Sequence, residues 1–231
     1  MKQQTVCILF GGMSPEHEVS LRSAECILNN IDRGKYHVVP VGITRAGQWL
    51  YYAGTDYREL PAQTWQDHPD NRPAAISPVR GQGLLIFEGD SVVRQHIDVV
   101  FPVLHGENGE DGSLQGLLQI AGLQLAGIAY VGPHVAASAI AMDKSMTKLV
   151  ADRAGVRQAG WELVTDAAFA HHPEELLDRL ETHFAYPVFV KPAGTGSSVG
   201  VSKAKDRAAL QAALVEALRF DRKVLVEEFI D

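Results

Sequence analysis

Apolar residues fall in short unbroken blocks along the first third of the chain, and these blocks set the expected elements. Residues 6–10, Val-Cys-Ile-Leu-Phe, are continuously apolar, as a strand buried on both faces of a parallel sheet should be. Gly11-Gly12 ends the block. Ser14 is expected to cap a helix with Pro15 at its first position, where a missing N–H costs nothing. Val19, Ser23, Ile27 and Ile31 recur at helical spacing and would form that helix's inner face. Residues 36–43 read as a second strand, completing a strand–helix–strand unit.

Residues 47–52 read as a turn and a short strand, and residues 53–82, rich in Pro, Asp, Gln and Arg, as an irregular excursion. Residues 84–87 and 91–94 flank Gly89-Asp90 and read as a small hairpin. Residues 97–104 form a third buried strand, followed by a helix with Leu114, Leu117, Leu118 and Ala121 on one face. Pro133 is expected to open a long helix carrying Ile140, Met142, Met146, Leu149 and Val150, with Asp143 and Lys144 in its middle and Gly155 as its stop. Strand 161–164, helix 173–182, strand 188–191, helix 208–218 and strand 224–230 follow. The alternation predicts a doubly wound α/β domain with a parallel sheet first, and a domain change around 130–143.

Composition narrows the class. Hydrophobic residues make up 46% and charged residues 21% of 231 positions, ordinary for one large or two modest soluble domains. The net charge of −7 argues against nonspecific nucleic-acid binding and against an acidic membrane surface. Cys7 and Cys26 both read as buried free thiols of a reducing compartment. No apolar run is long enough to span a bilayer, and the block ending at Phe10 is too short for a secretory core, so a cytoplasmic location is expected.

Candidate chemistry concentrates at strand ends. Residues 190–203 read Val-Lys-Pro-Ala-Gly-Thr-Gly-Ser-Ser-Val-Gly-Val-Ser-Lys. Glycines allow sharp turns that expose backbone N–H groups, serines add donors, and Lys191 and Lys203 add point charges, which together suit a polyphosphate. Glu16 stands just past a strand end and a glycine turn, where open α/β sheets bind ligands, whereas helix-dipole support accounts for Glu18. His105 and Glu110 sit in a glycine-dense turn, 105–112, at a second such edge. No second histidine or cysteine stands at ligand spacing, so no metal ligand is assigned. Glu227 and Glu228 lie in an apolar strand and point to opposite faces, so one is expected to meet solvent and the other a ligand.

A strand lysine followed by a glycine-serine flap resembles the nucleotide site of the ATP-grasp superfamily. Four motifs in order then resemble the D-alanine–D-alanine ligases. They are Leu9-Phe10-Gly11-Gly12 with Ser14-Pro15-Glu16-His17-Glu18-Val19-Ser20-Leu21, and Leu104-His105-Gly106 with Gly109-Glu110-Asp111-Gly112 and Gln115-Gly116. Ala141-Met142-Asp143-Lys144 follows, then Val190-Lys191-Pro192 with the flap 196–203. The resemblance implies an N-terminal α/β substrate domain over 1–138, a central ATP-grasp lobe over 139–223, and the start of a further lobe at 224–231.

In that family ATP phosphorylates one D-alanine, and the amine of a second D-amino acid attacks the acyl phosphate, giving the dipeptide used in peptidoglycan. By resemblance, Glu16 would hold the first substrate's ammonium and Ser197 would join Glu16 in an orienting network that here lacks its usual aromatic member. His105, supported by Glu110, would line the site near the transferring phosphate. Lys144 and Lys191, with Ser197, Ser198 and Val199 of the flap, would bind ATP phosphates. Glu227 would take a nucleotide hydroxyl or amine, and Glu228 and Ile230 would approach the adenine through the backbone. The resemblance also implies Mg2+ or Mn2+ and a homodimer. The family's metal ligands and its loop for the second substrate are expected beyond residue 231, so the chain reads as a truncated ligase, inactive alone, whose last strand lacks sheet neighbours. Alternatives are a ligase joining D-alanine to D-serine or D-lactate, and a non-catalytic nucleotide-binding fragment.

Overall fold

A computed structural model describes residues 3–121 and 128–231. The chain divides into two compact units, Met1–Ser138 and Ala139–Asp231.

The first unit is built on an eight-stranded sheet among the described residues. Its strands are β1 (Gln4–Gly11), β2 (Tyr36–Ile43), β3 (Trp49–Tyr51), β4 (Arg72–Ile76), β5 (Leu84–Glu88), β6 (Ser91–Gln95), β7 (Val99–Pro102) and β8 (Ala129–Tyr130), in the order β6-β5-β4-β3-β2-β1-β7-β8. Strands β2, β1, β7 and β8 run parallel, and β3 to β6 extend the sheet antiparallel. The pleat of β1 decides what covers each face. Val6, Ile8 and Phe10 pack with Leu21, Ala24 and Leu28 of α1 (His17–Asn30). Cys7 and Leu9 pack with Leu114, Leu118 and Ala121 of α2 (Ser113–Ala121). Helices on both faces of parallel strands make this half doubly wound, as the apolar blocks predict.

Several expectations are corrected. The excursion 53–82 contains β4, and its Trp65 is among the largest fully buried side chains. Pro73 removes one ladder donor, and that disguises the strand in the sequence. The helix begins at His17 rather than at Pro15, and Ser14 does not cap it. Its inner face is Ser20, Leu21, Ala24 and Leu28, while Val19 is 54% exposed. Cys7 is buried, which pushes its thiol up to about 12, but Cys26 is exposed. Ser20 ties the layers together: its hydroxyl accepts from the Gly11 N–H at 2.8 Å and donates to the Val103 carbonyl, joining α1 to β1 and to the chain beyond β7. Ser20→Ala should cost about 1–3 kcal/mol in urea unfolding, because it orphans buried backbone groups. A cost near zero would mean that the sheet closes without it.

The second unit carries α4 (Lys144–Arg153), β9 (Trp161–Thr165), α5 (Asp166–His171), α6 (Pro173–His183), β10 (Val188–Pro192), β11 (Ser202–Ala204), α7 (Arg207–Ala217) and β12 (Lys223–Glu228). The four strands form an antiparallel sheet in the order β11-β10-β12-β9. Leu176, Leu177 and Leu180 of α6 and Leu210, Ala213 and Leu214 of α7 cover one face, against Val188, Val190, Val224 and Val226. The strand expected at 224–230 to open a further lobe with a bare edge lies inside this sheet. It is paired with β10 and β9, and Val224, Leu225 and Val226 are fully buried.

The long helix expected from Pro133 is two: α3 (Val135–Met142) and α4, broken at Asp143. The Asp143 carboxylate caps α4 by accepting from the Ser145 N–H at 2.9 Å and the Met146 N–H at 3.3 Å. Among the described residues, no helix is long and apolar enough to cross a membrane.

Candidate functional site

In the first unit the site is assembled where β1 and β7 end. Gly11 and Gly12 both take positive φ, which turns the chain from strand to helix. The Ser14 hydroxyl donates to the His105 carbonyl at 2.7 Å and accepts from the Glu16 N–H at 3.2 Å, so one side chain fastens the two motif loops to each other. Gly106 takes φ 70°, and a Cβ built there would lie 2.6 Å from Glu16 Oε2. Only glycine therefore lets the 105–112 turn approach the Glu16 carboxylate so closely.

Glu110 closes this turn on itself. Its Oε2 accepts from the Gly106 N–H at 2.6 Å, and its own N–H donates to the Gly106 carbonyl at 2.9 Å. Glu110 thus braces the backbone on which His105 stands. Gln115, nearly fully buried, donates to the Gly109 carbonyl at 2.9 Å from α2. Asp111 accepts from the Asn108 and Ser113 N–H groups at 2.8 and 2.9 Å. Burial works to raise its carboxyl, but those donors outweigh burial and hold it below the ordinary range. His105 Nε2 is buried with no hydrogen-bond partner among the described residues. A cavity of about 280 Å³ lies here, lined by Gly12, Met13, Ile43, Trp49, Leu104, His105 and Leu117 among others. A larger one, about 410 Å³, is lined by His17, Arg45, Gln63 and Trp65 and by none of Glu16, His105 or Glu110.

In the second unit the site occupies the sheet face opposite α6 and α7. Alternation along β10 and β12 puts Lys191 and Glu227 there. The Lys191 ammonium donates to Glu227 Oε2 at 2.7 Å, and Lys148 of α4 stands 3.5 Å from Oε1. Glu227 is 7% exposed, so this is the buried member of the glutamate pair. Glu228 is exposed, and its carboxylate accepts from the Gly160 N–H at 2.6 Å.

Lys144 is the first residue of α4 and half-buried. Its ammonium donates to the carbonyls of Pro192 at 3.2 Å, Ala193 at 3.4 Å and Thr195. The expectation of a mid-helix lysine is corrected, since Lys144 opens α4. Burial first, and the nearby Lys191 charge second, push its pKa down. Asp143 also pairs with Lys223 at the start of β12, which fixes the head of α4 against the sheet. The flap begins with the Gly194 N–H held by Asp221 at 2.6 Å and turns at Ser197 and Ser198, with φ of 50° and 60°. Two consecutive non-glycine residues in the left-handed region cost about 1–2 kcal/mol each. Both serines are exposed, Val199 is half-buried, and Ile230 is 65% exposed.

Thus Glu16, His105 and Glu110 share one locus in the first unit, and Lys144, Lys191 and Glu227 share another in the second, at the root of the flap. Four residues to which no site role was assigned also bind to this machinery: Ser14 and Gln115, which lie within the motifs, and Lys148 and Lys223, which lie outside them. Ser14 and Gln115 had the signal of their motifs and Lys148 that of standing one helical turn beyond Lys144, whereas Lys223 had no local signal. Among the described residues, no group of three His, Cys, Asp or Glu side chains could hold a metal ion.

Two family models match most of the chain. Residues 5–133 match the family model described as D-ala D-ala ligase N-terminus, and residues 150–231 match D-ala D-ala ligase C-terminus. A D-alanine--D-alanine ligase of Caldicellulosiruptor bescii is 44% identical over the whole chain, which spans 61% of that relative. The D-Ala:D-Ser ligase VanG of Enterococcus faecalis superposes with a TM-score of 0.87 at 35% identity, over all of this chain and 64% of that one. The D-alanine-D-alanine ligase of Coxiella burnetii gives 0.82 at 32% identity, over 99% and 64%.

Proposed function

The chain belongs to the D-alanine–D-alanine ligase family, and from that premise we propose that it serves ATP-dependent ligation of two D-alanines into D-alanyl-D-alanine for the cell wall. A carboxylate oxygen of the first D-alanine attacks the γ-phosphorus of ATP and ADP leaves. The amine of the second then attacks the acyl carbon, phosphate departs with the bonding pair, and the amine's proton is released.

The observation that carries the reading is the sheet face where Lys148 and Lys191 share one buried carboxylate, Glu227, with the Lys144 ammonium close enough to feel the Lys191 and Glu227 charges. Such a face holds surplus positive charge beside a glycine-serine flap, which suits a polyphosphate. In this reading Lys144 and Lys191 exchange their present oxygen partners for phosphate oxygens. The flap's Ser197, Ser198 and Val199 supply further donors. Glu227 accepts from a nucleotide amine or hydroxyl, and Glu228 and Ile230 contact the adenine through the backbone. Glu16 pairs with the first substrate's ammonium, and His105 lines the site of phosphoryl transfer. Magnesium, or manganese, is the metal that the family implies for neutralising the phosphates, and no residue of 1–231 is assigned to it. A substrate domain over 1–138, a nucleotide lobe from 139 onward, a homodimer and a cytoplasmic location belong to the same proposal.

The test is an assay of the intact protein with ATP, magnesium and D-alanine, following dipeptide and phosphate. Glu16→Gln keeps the shape of the side chain and removes its charge. It should raise the KM for the first D-alanine by about tenfold or more while leaving nucleotide affinity unchanged. Equal losses for both substrates would make Glu16 a support of the turn instead. The likeness to the D-Ala:D-Ser ligase supports a second reading, in which D-serine is the acceptor. Competition between D-alanine and D-serine for the second position decides between them.

A further inference from the structure

Lys148 has no part in the reaction as set out above, yet it is bound into the nucleotide face. It follows Lys144 by one turn of α4, and its side chain is 14% exposed. Its ammonium stands 3.5 Å from Glu227 Oε1 and 3.4 Å from the Ala159 carbonyl. Lys191 occupies the other carboxylate oxygen, Oε2, at 2.7 Å. One buried carboxylate is therefore shared by two lysines, one on each oxygen.

The two lysines are not equivalent. Lys191 is the more exposed, at 27%, and sits at the end of β10 just before the flap. Lys148 is the more enclosed and is tethered to a fixed backbone carbonyl as well. Lys144 cannot replace either of them, since its ammonium is engaged by three carbonyls at the flap root. If Lys191 turns to a phosphate, Glu227 loses its closer partner. A carboxylate buried to this degree is costly to leave unpaired.

We propose that Lys148 is a positioning residue of the nucleotide site, the standing counterion of Glu227 that lets Lys191 leave that carboxylate for a nucleotide phosphate. This rests on the proposed nucleotide role of Lys191. Lys148 touches no substrate in this scheme. It keeps Glu227 charged and aimed while Lys191 moves, so nucleotide binding never requires a buried carboxylate to stand alone. Without Lys148, the Lys191–Glu227 pair would compete directly with the nucleotide.

The experiment is calorimetric titration of the intact protein with a non-hydrolysable ATP analogue and magnesium, using Lys148→Met, Lys148→Arg, Glu227→Gln, the double variant Lys148→Met/Glu227→Gln, and Lys191→Ala. Thermal melting of each variant accompanies it. Lys148→Met should weaken binding by about tenfold or more, and Lys148→Arg, which keeps the charge, should recover to within about threefold of wild type. In the Glu227→Gln background there is no carboxylate to strand, so adding Lys148→Met should cost less than about threefold. Wild-type affinity in Lys148→Met beside a loss in Lys191→Ala would overturn this inference alone. So would a Lys148→Met loss that persists in full in the Glu227→Gln background, since Lys148 would then act independently of the carboxylate. A wild-type protein that binds no nucleotide would overturn the proposed function and this inference with it.

Discussion

Replacing Trp65 by alanine should cost the first unit about 3–5 kcal/mol of stability, the range for truncating a large buried aromatic. Trp65 is 1% exposed and meets the Phe10 ring edge-on, with centroids 5.1 Å apart, and the Tyr52 ring at 6.4 Å. It fills space that β2 leaves open at Gly42, where an added Cβ would overlap the indole. The excursion that carries Trp65 is thus a wedge in the α1-side core. Its loss leaves a cavity walled by β1 and β2, whose backbones are held by ladder hydrogen bonds and cannot collapse into it. Differential scanning calorimetry, or urea unfolding followed by far-UV circular dichroism, reads the effect. A cost below about 1 kcal/mol would mean that the segment only rests on the sheet. Because Phe10 leads directly into the Gly11-Gly12 turn, the proposed function adds that weaker use of D-alanine should accompany the loss of stability.

On the proposed nucleotide role, Lys191→Ala and Lys144→Ala should each weaken nucleotide binding by about tenfold to a hundredfold, the value of one charge-assisted hydrogen bond of about 1.5–3 kcal/mol. Neither change should unfold the protein. Removing Lys191 leaves Glu227 with Lys148 on its other oxygen, and truncating Lys144 leaves the Ala193 carbonyl bonded to the Lys144 backbone N–H. The two variants should differ in one respect. Lys144 also braces the Pro192, Ala193 and Thr195 carbonyls, so Lys144→Ala should loosen the flap root and speed its amide exchange, whereas Lys191→Ala should not. Unchanged affinity in both variants by calorimetry would remove the phosphate role from these lysines.

Much of the architecture is legible in local pattern. The unbroken apolar block 6–10 announces a strand buried on both faces, and β1 is that strand, with Cys7, Ile8, Leu9 and Phe10 fully buried. The helix read at 173–182 is α6, and Pro173 is its first residue. The glycines at 11–12 and at 106 mark the turns at which Glu16, His105 and Glu110 meet. Each of these signals spans fewer than about ten residues, the range over which periodicity and turn chemistry act.

Other features are invisible at that range. The apolar run through 135–150 reads as one helix, because the sequence does not reveal that the Asp143 carboxylate will turn back to cap α4 and pair with Lys223. Burial raises the Asp143 carboxyl, but Lys223 and the Ser145 hydroxyl more than offset it, so the carboxylate stays charged and the break is stable.

The sequence by itself therefore determined most of the strands and helices and the loops that carry chemistry, because hydrophobic period, proline and glycine act on neighbours along the chain. The tertiary structure alone decided which charges answer one another. Whether Glu227 faces solvent or a cation depends on the register between β10 and β12, which sets Phe189 opposite Glu227 and brings Lys191 to the same face. That the first sheet continues antiparallel through β4 depends on pairing across a proline, and that Trp65 is core depends on a glycine in another strand. These are long-range choices made by packing and desolvation, and no window of sequence contains both partners.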